Sequence, residues 1–321
     1  PWLRPWLAPW LAPWLRPWLH PLLRRGCAVA APWLRPWLAP VAGARGCTRG
    51  CRFCQAGYIY RPVRERQPDT IRNLIDQLLK HSGYDEVSLL SLSTGDYSAI
   101  ETLMQNLMGC YADQSIAVSL PSLRVGSLTP ELMNEIKKVR KTGFTLAPEA
   151  GSERLRQVIN KGINAEDLVD SATTAFELGW RIIKLYFMIG LPTETEEDLD
   201  ALVELAARVK KAGKGTQGGA DVNVSVSTFV PKAHTPFQWE AQIGYEETIA
   251  RQEMLRGALK KKRLRLKWHD AELSFLEGVF ARGDRRLGAV LEEAVKQGCR
   301  FDGWREHFRY DIWMEAFVKA E

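Results

Sequence analysis

The sequence predicts an α/β fold, a partial (β/α)6 barrel of the TIM type with a small helical C-terminal appendage and a disordered N-terminal repeat. Three observations predict it. Short apolar runs alternate with amphipathic stretches six times from Val41 onward, the order of parallel strands joined by helices. Composition changes abruptly at Val41 and again near Tyr245, where the chain turns helical, basic and aromatic. Turn-forming residues follow the apolar runs, at the strand ends where such barrels carry their chemistry.

Residues 1–40 are a degenerate tandem repeat, PWLR PWLA PWLA PWLR PWLH, resuming as PWLR PWLA from Pro32. A proline every fourth residue removes backbone donors, so neither a continuous helix nor a central strand can form. Polyproline II has three residues per turn, so a period of four spreads the tryptophans around its surface. The segment reads as a translated repeat or a misplaced gene start rather than as an aromatic interaction arm.

The core is expected over residues 41–244. Its candidate strands are 41–45, 86–92, 115–120, 143–148, 181–189 and 221–230. Candidate helices fill the gaps at 69–81, 97–109, 130–141, 151–159 with 165–178, and 195–212. Thr129 stands as a cap before Pro130 and Glu131. The run Thr193 to Glu197 puts acids at the positive end of the next helix. Residues 213–220 are glycine-rich but fall at the opposite barrel face, so they read as turn chemistry. Residues 245–321 form the expected helical appendage.

Bulk properties narrow the function classes. The chain is 45% hydrophobic and 26% charged, ordinary values for a globular protein. The net charge of +6 includes five arginines in residues 1–40, so residues 41–321 carry only +1 and give no argument for nucleic acid. No run of about 18 apolar residues exists, so no membrane span is expected. Prolines break every apolar stretch near the N-terminus, so no signal peptide is read and a cytoplasmic location is expected.

Six cysteines are present, and Cys47, Cys51 and Cys54 fall within eight residues. That crowding suits an intracellular metal site better than a disulfide framework. Gly46-Cys47-Thr48-Arg49-Gly50-Cys51-Arg52-Phe53-Cys54 has the spacing C-x3-C-x2-C. Three thiolates so close can grip three corners of one iron–sulfur cube. Gly46 and Gly50 permit the tight loop, and Arg45, Arg49 and Arg52 offset its negative charge. A structural zinc site normally shows four ligands, and the next cysteine, Cys110, is 56 residues beyond Cys54. Three ligands leave one iron open. The alternative is a zinc knuckle completed by a distant histidine. Cys110 sits in an apolar helical pattern and reads as a core residue. Cys27 and Cys299 are assigned no role.

This loop after a first strand resembles the radical S-adenosylmethionine (SAM) superfamily. The resemblance implies a [4Fe–4S] cluster on Cys47, Cys51 and Cys54, whose open iron chelates SAM. It also implies reductive cleavage of SAM to a 5′-deoxyadenosyl radical, fed by an external one-electron reductant of the flavodoxin or ferredoxin type. Phe53 matches an aromatic position whose backbone lies near adenine. Thr94, Gly95 and Asp96 stand where related enzymes often have a Gly-Gly-Glu turn that meets the SAM amino group. Arg124, in Pro121-Ser122-Leu123-Arg124, matches an arginine near the SAM carboxylate. Glu149, in Ala147-Pro148-Glu149-Ala150-Gly151-Ser152, matches an acid that binds the ribose hydroxyls. Gly190 and Pro192, in Met188-Ile189-Gly190-Leu191-Pro192, resemble the turn that passes the adenine. Each turn alone reads as ordinary Gly/Pro chemistry, and together they cover roughly residues 42–240.

A narrower resemblance rests on Phe229 to Trp239 and on Arg282-Gly283-Asp284-Arg285-Arg286. These runs resemble uncharacterised bacterial radical SAM proteins of the methylthiotransferase branch, which often carry an N-terminal cobalamin-binding-type domain. No such domain precedes the first strand here, so cobalamin is not expected, and neither are a second cluster and sulfur insertion.

Weaker signals remain. Lys260, Lys261, Lys262 and Arg263, with Arg265, Lys267 and Trp268, could meet RNA phosphates or form a solvated helix end. His234 and His269 have no partner spacing and read as packing or surface residues. The expected function is radical modification of an unidentified substrate, tilted towards a macromolecule and RNA in particular. Alternatives are a non-catalytic iron–sulfur or zinc binding protein and an inactive fragment.

Overall fold

The computed structural model describes residues 39–120, 123–127, 129–139, 144–216 and 219–320. The expected repeat before residue 39, Cys27, Pro121 and Ser122 lie outside the described residues.

The alternating apolar runs form parallel strands. β1 (Ala39–Ala42), β4 (Glu86–Leu90) and β5 (Ala117–Ser119) make one three-stranded parallel sheet. β6 (Phe144–Glu149), β7 (Ile182–Ile189), β8 (Asp221–Thr228) and β9 (Arg265–Trp268) make a second sheet of four, also parallel. A short antiparallel pair, β2 (Ala44–Arg45) and β3 (Arg64–Glu65), follows β1. No ladder joins β5 to β6 among the described residues. The six expected strands are all present.

The helices arise from amphipathic spacing and local caps. α1 (Ala56–Ile59) is one turn, and α2 (Pro68–Ser82) starts on a proline and ends at Gly83 in the left-handed conformation. α3 (Ile100–Tyr111) follows β4. α4 (Pro130–Ile136) begins where the Thr129 hydroxyl accepts the Leu132 N–H. α5 (Glu153–Val158) starts in the same way at Ser152. α6 (Ala165–Glu177) and α7 (Glu196–Ala212) open with reciprocal capping boxes at Asn164 and Thr195. α8 (Tyr245–Lys261), α9 (Ala271–Arg282), α10 (Leu287–Lys296) and α11 (Tyr310–Lys319) complete the chain.

One core lies between the sheets and their helices. Val87 and Leu89 of β4, Leu146 of β6, and Ile183, Leu185, Phe187 and Ile189 of β7 enter it from alternate strand positions. Ile71, Met104, Leu107, Leu168, Leu202 and Leu255 meet them from the helices. A small cluster beneath the strand ends joins Ala150, Leu155, Ile159, Met188, Leu191, Phe229 and Phe237, with Phe53 packed on it.

Two expectations need correction. Residues 245–321 are not wholly helical, because β9 pairs in parallel with β8 and extends the core sheet. A basic run hid that strand: Leu266 and Trp268 pack on the core, while Arg265 and Lys267 stay exposed on the other face. Cys110 is exposed rather than buried, because α3 turns Leu103, Met104, Leu107, Met108 and Tyr111 inward and leaves it on the flank.

Candidate active site at the carboxyl ends of the strands

The cysteine loop leaves the end of β1 and is held on three sides. Gly46 has φ +92°, and a Cβ there would lie 2.4 Å from the Tyr60 carbonyl oxygen, so only glycine fits. The Gly50 carbonyl accepts from the Tyr58 hydroxyl at 3.0 Å and from Asn160 Nδ2 at 2.9 Å. Arg52 donates through its backbone to Ile159 at 3.0 Å and through its guanidinium to the Val158 carbonyl at 2.5 Å, closing the C-terminal end of α5. Gln55 donates to the Ala233 carbonyl at 3.0 Å, tying the loop to the segment after β8.

Cys47, Cys51 and Cys54 are all free thiols, with Cys51 buried and the other two half-buried. Burial pushes the Cys51 thiol up, while Lys161 and Arg124 draw it back. No three His, Cys, Asp or Glu side chains among the described residues gather where one metal ion could hold them all. Soft thiolate donors with cations beside them fit separate irons of a cluster.

Beside Cys47 lies a cavity of about 400 Å³, lined also by Arg49, Glu65, Ser93, Asp96 and Tyr97. Arg49 grips Asp96 with both ends of its guanidinium, Nε to Oδ2 at 2.9 Å. Ser93 donates to the same carboxylate at 2.6 Å. Burial would raise the Asp96 carboxyl, but the bonds from Arg49 and Ser93 prevail and hold it below its usual range. Thr94 is buried and donates to the Leu89 carbonyl at 3.2 Å, a structural bond. Gly95 lets Ser127 approach, since a Cβ there would lie 2.1 Å from Ser127 Oγ.

On the far side, Glu149 ends β6 with φ +68° and accepts from Lys161 Nζ at 3.0 Å. Both side chains are largely buried. Lys161 also stands 6.0 Å from the centre of the Phe53 ring. Arg124 donates to the Lys161 and Gly162 carbonyls, the latter at 3.0 Å, and so braces that turn. Arg156 is 2% exposed and donates to the Ala150 and Gly151 carbonyls at 3.0 and 2.8 Å, fixing the turn after β6.

Gly190 follows β7 with φ +75°, and a Cβ would lie 2.7 Å from Ile243. Its N–H donates to Glu194 Oε2 at 2.6 Å. Burial pushes Glu194 up to about 7, against the opposing pull of the Gly190 N–H and of Arg251 from α8. Pro192 follows in the same turn, half-buried.

The structure thus gathers Cys47, Cys51, Cys54, Phe53, Asp96, Arg124, Glu149 and Gly190 at one end of the sheets. Thr94 and Gly95 support the fold there. Sequence reading missed Lys161, Asn160 and Arg251. Asn160-Lys161-Gly162 carried a usable signal: an Asn-x-Gly turn whose Asn and Gly both adopt positive φ, 54° and 59°. Arg251 sits within α8 and gave none.

Comparison with known proteins points to one family. The profile described as the radical SAM superfamily matches residues 41–206. The chain is 37% identical to uncharacterized protein MJ0966 of Methanocaldococcus jannaschii, over 77% of this chain and 52% of that protein. It is 26% identical to the ribosomal protein uS12 methylthiotransferase RimO of Thermotoga petrophila, over 84% of this chain and 65% of the relative. The chain therefore spans about half to two thirds of the length of these curated relatives. In fold it is similar to the radical SAM methyltransferase TsrM of Kitasatospora setae, with TM-score 0.52 and 13% identity over 63% of this chain and 38% of that one.

Proposed function

The chain belongs to the radical SAM superfamily, whose members use a [4Fe–4S] cluster, SAM and an external reductant, and on that footing we propose that it is a radical-generating enzyme built on Cys47, Cys51 and Cys54. The single observation that carries the proposal is the gathering of three free thiols, an engaged Asp96 and the Glu149–Lys161 pair at the carboxyl ends of parallel strands.

When bound, the cluster supplies the electron that cleaves SAM. The chain's own residues do the rest. Lys161 and Arg124 lower the cost of thiolate charge at Cys51. Glu149 offers a carboxylate to the ribose hydroxyls, with Lys161 fixing its orientation. Gly190 and Pro192 shape the wall for adenine, and the Phe53 backbone closes it from the cysteine loop. The Arg49–Asp96 pair spans the cavity beside Cys47, where the methionyl end would lie. Packing of Phe53 against the apolar cluster that includes Met188 and Phe237 helps to exclude water. The reductant is of the flavodoxin or ferredoxin type.

The substrate is proposed to be a macromolecule, RNA before protein. Lys260 and Lys261 are exposed at the end of α8, and Lys267 is exposed on edge strand β9. Lys262 is less available, because it pairs with Glu204 at 2.7 Å. RNA binding should weaken steeply with salt through counterion release. A filter-binding titration that is flat in salt, or unchanged on neutralising Lys260 and Lys261, would remove RNA.

The cluster ligands are tested by anaerobic iron loading of the three variants Cys47→Ala, Cys51→Ala and Cys54→Ala. Each should lose the broad iron–sulfur absorbance. Full iron in any of them, or stoichiometric zinc in the parent, would refute the assignment.

A further inference from the structure

The second sheet has a polar face that the site above does not use. On β7 the core-facing residues are Ile183, Leu185, Phe187 and Ile189, so Lys184 and Tyr186 lie on the face turned away from the helices. On β8 the core takes Val222, Val224 and Val226, which leaves Asn223 and Ser225 on that face. On β9 Lys267 joins them opposite Leu266 and Trp268. Strand register sets these residues in rows: Lys184 beside Asn223 beside Arg265, whose guanidinium is already paired with Asp221, and Tyr186 beside Ser225 beside Lys267.

Two features mark this face, and the first calls for a ligand. Lys184 Nζ donates to the Tyr186 hydroxyl at 2.6 Å and lies 4.6 Å from the centre of its ring. Neither Lys184 nor Lys267 has a carboxylate partner among the described residues, whereas the neighbouring Arg265 has Asp221 at 3.6 Å and Lys262 has Glu204. A half-buried ammonium without a counter-charge is costly. In the adjacent position, Asn223 Oδ1 is sealed from solvent and accepts no hydrogen bond, an uncommon state for a buried acceptor. Lys184 and Lys267 stand two strands and one pleat apart, about 12 Å between Cα atoms, within joint reach of two lysine side chains.

We propose that this face binds an oxyanion, a phosphate or carboxylate, on the substrate. Lys184 and Lys267 supply the positive charge. Tyr186 and Ser225 supply hydroxyls, and the Tyr186 ring offers a face for stacking. The inference rests on the proposed function in one respect. Phe187 is in register with Glu149, so Tyr186 lies one residue below the proposed ribose contact, and a group held there adjoins the cleaved cofactor.

The test is lysine footprinting by acylation and mass spectrometry on the full chain, with inorganic phosphate, acetate or chloride at equal ionic strength. Phosphate or acetate should slow labelling of Lys184 by about tenfold relative to chloride, the effect of one charge-assisted hydrogen bond. Labelling of Lys319, which is paired with surface acids, should not change. Protection by phosphate alone assigns a phosphorylated group, and protection by acetate assigns a carboxylate. Protection by neither overturns the site. Phosphate affinity should also fall severalfold in Lys267→Gln, an exposed position where folding is not at stake, and an unchanged affinity would count against the proposal. SAM cleavage measured on the same preparation separates the two claims. Cleavage without protection defeats only the oxyanion site, and protection without cleavage defeats only the radical SAM reading.

Discussion

Replacing Gly151 with alanine would put a methyl carbon 2.2 Å from the Leu202 backbone nitrogen, 2.4 Å from its Cα and 2.6 Å from the Asp198 carbonyl. All three atoms belong to the main chain of α7, so no side chain can rotate out of the way. Either α7 or the turn after β6 must move. Overpacking of this kind costs about 1–3 kcal/mol, and a backbone obstacle points to the upper end. The same turn is pinned by Arg156 and carries Glu149 two residues earlier, so SAM affinity should fall together with stability. Gly109 is the internal control. It lies in α3 with nothing within 4 Å of its would-be Cβ, and alanine there should be neutral or stabilising by up to about 1 kcal/mol. Urea denaturation of both variants reads the difference. A Gly151→Ala protein that unfolds at the parental urea concentration would show that α7 does not press on this turn, and the placement of Glu149 would need another cause.

Other substitutions probe single contacts. Glu149→Gln should weaken SAM binding by roughly 1–3 kcal/mol, the range for hydrogen bonds to a charged group, while leaving iron content intact; unchanged affinity by calorimetry would move the ribose contact elsewhere. Asp96→Asn should cost no more than about 1 kcal/mol of stability, because its partner Arg49 is half exposed and screened; a larger loss by denaturation would make the pair structural. Glu194 gives a pH signature. Its carboxyl is raised by burial to about 7, so the folded chain holds this proton more tightly than the unfolded chain does. The associated stability is complete below the usual glutamate range and is lost as pH rises through about 7. Glu194→Gln should flatten that part of the profile, and an unaltered slope would place the titration on another group.

The strand order was legible because each buried run is short, apolar and followed by turn residues. The capping boxes at Asn164 and Thr195 show why several helix starts were equally plain. β9 was not legible, since Arg265-Leu266-Lys267-Trp268 alternates inside a basic stretch, and only pairing with β8 decides its state. The cysteine loop was legible from spacing alone. Its supports were not: Asn160 and Lys161 reach it from a distant turn, Gln55 beside Cys54 ties it to the Ala233 carbonyl, and Arg52, expected to offset cluster charge, spends its guanidinium on the carbonyls of α5. Thr94 and Gly95 matched a motif position, yet the structure gives them packing tasks, one bonding back to β4 and the other clearing room for Ser127. Motif position fixes where a residue stands, while close neighbours decide what it does.

The central claim is that this loop holds a cluster that cleaves SAM. Anaerobic reconstitution, chemical reduction and quantification of 5′-deoxyadenosine test it most directly. The account predicts about four irons per chain and SAM-dependent release of 5′-deoxyadenosine that vanishes in Cys51→Ala. A fully loaded, reducible protein that leaves SAM intact would contradict it.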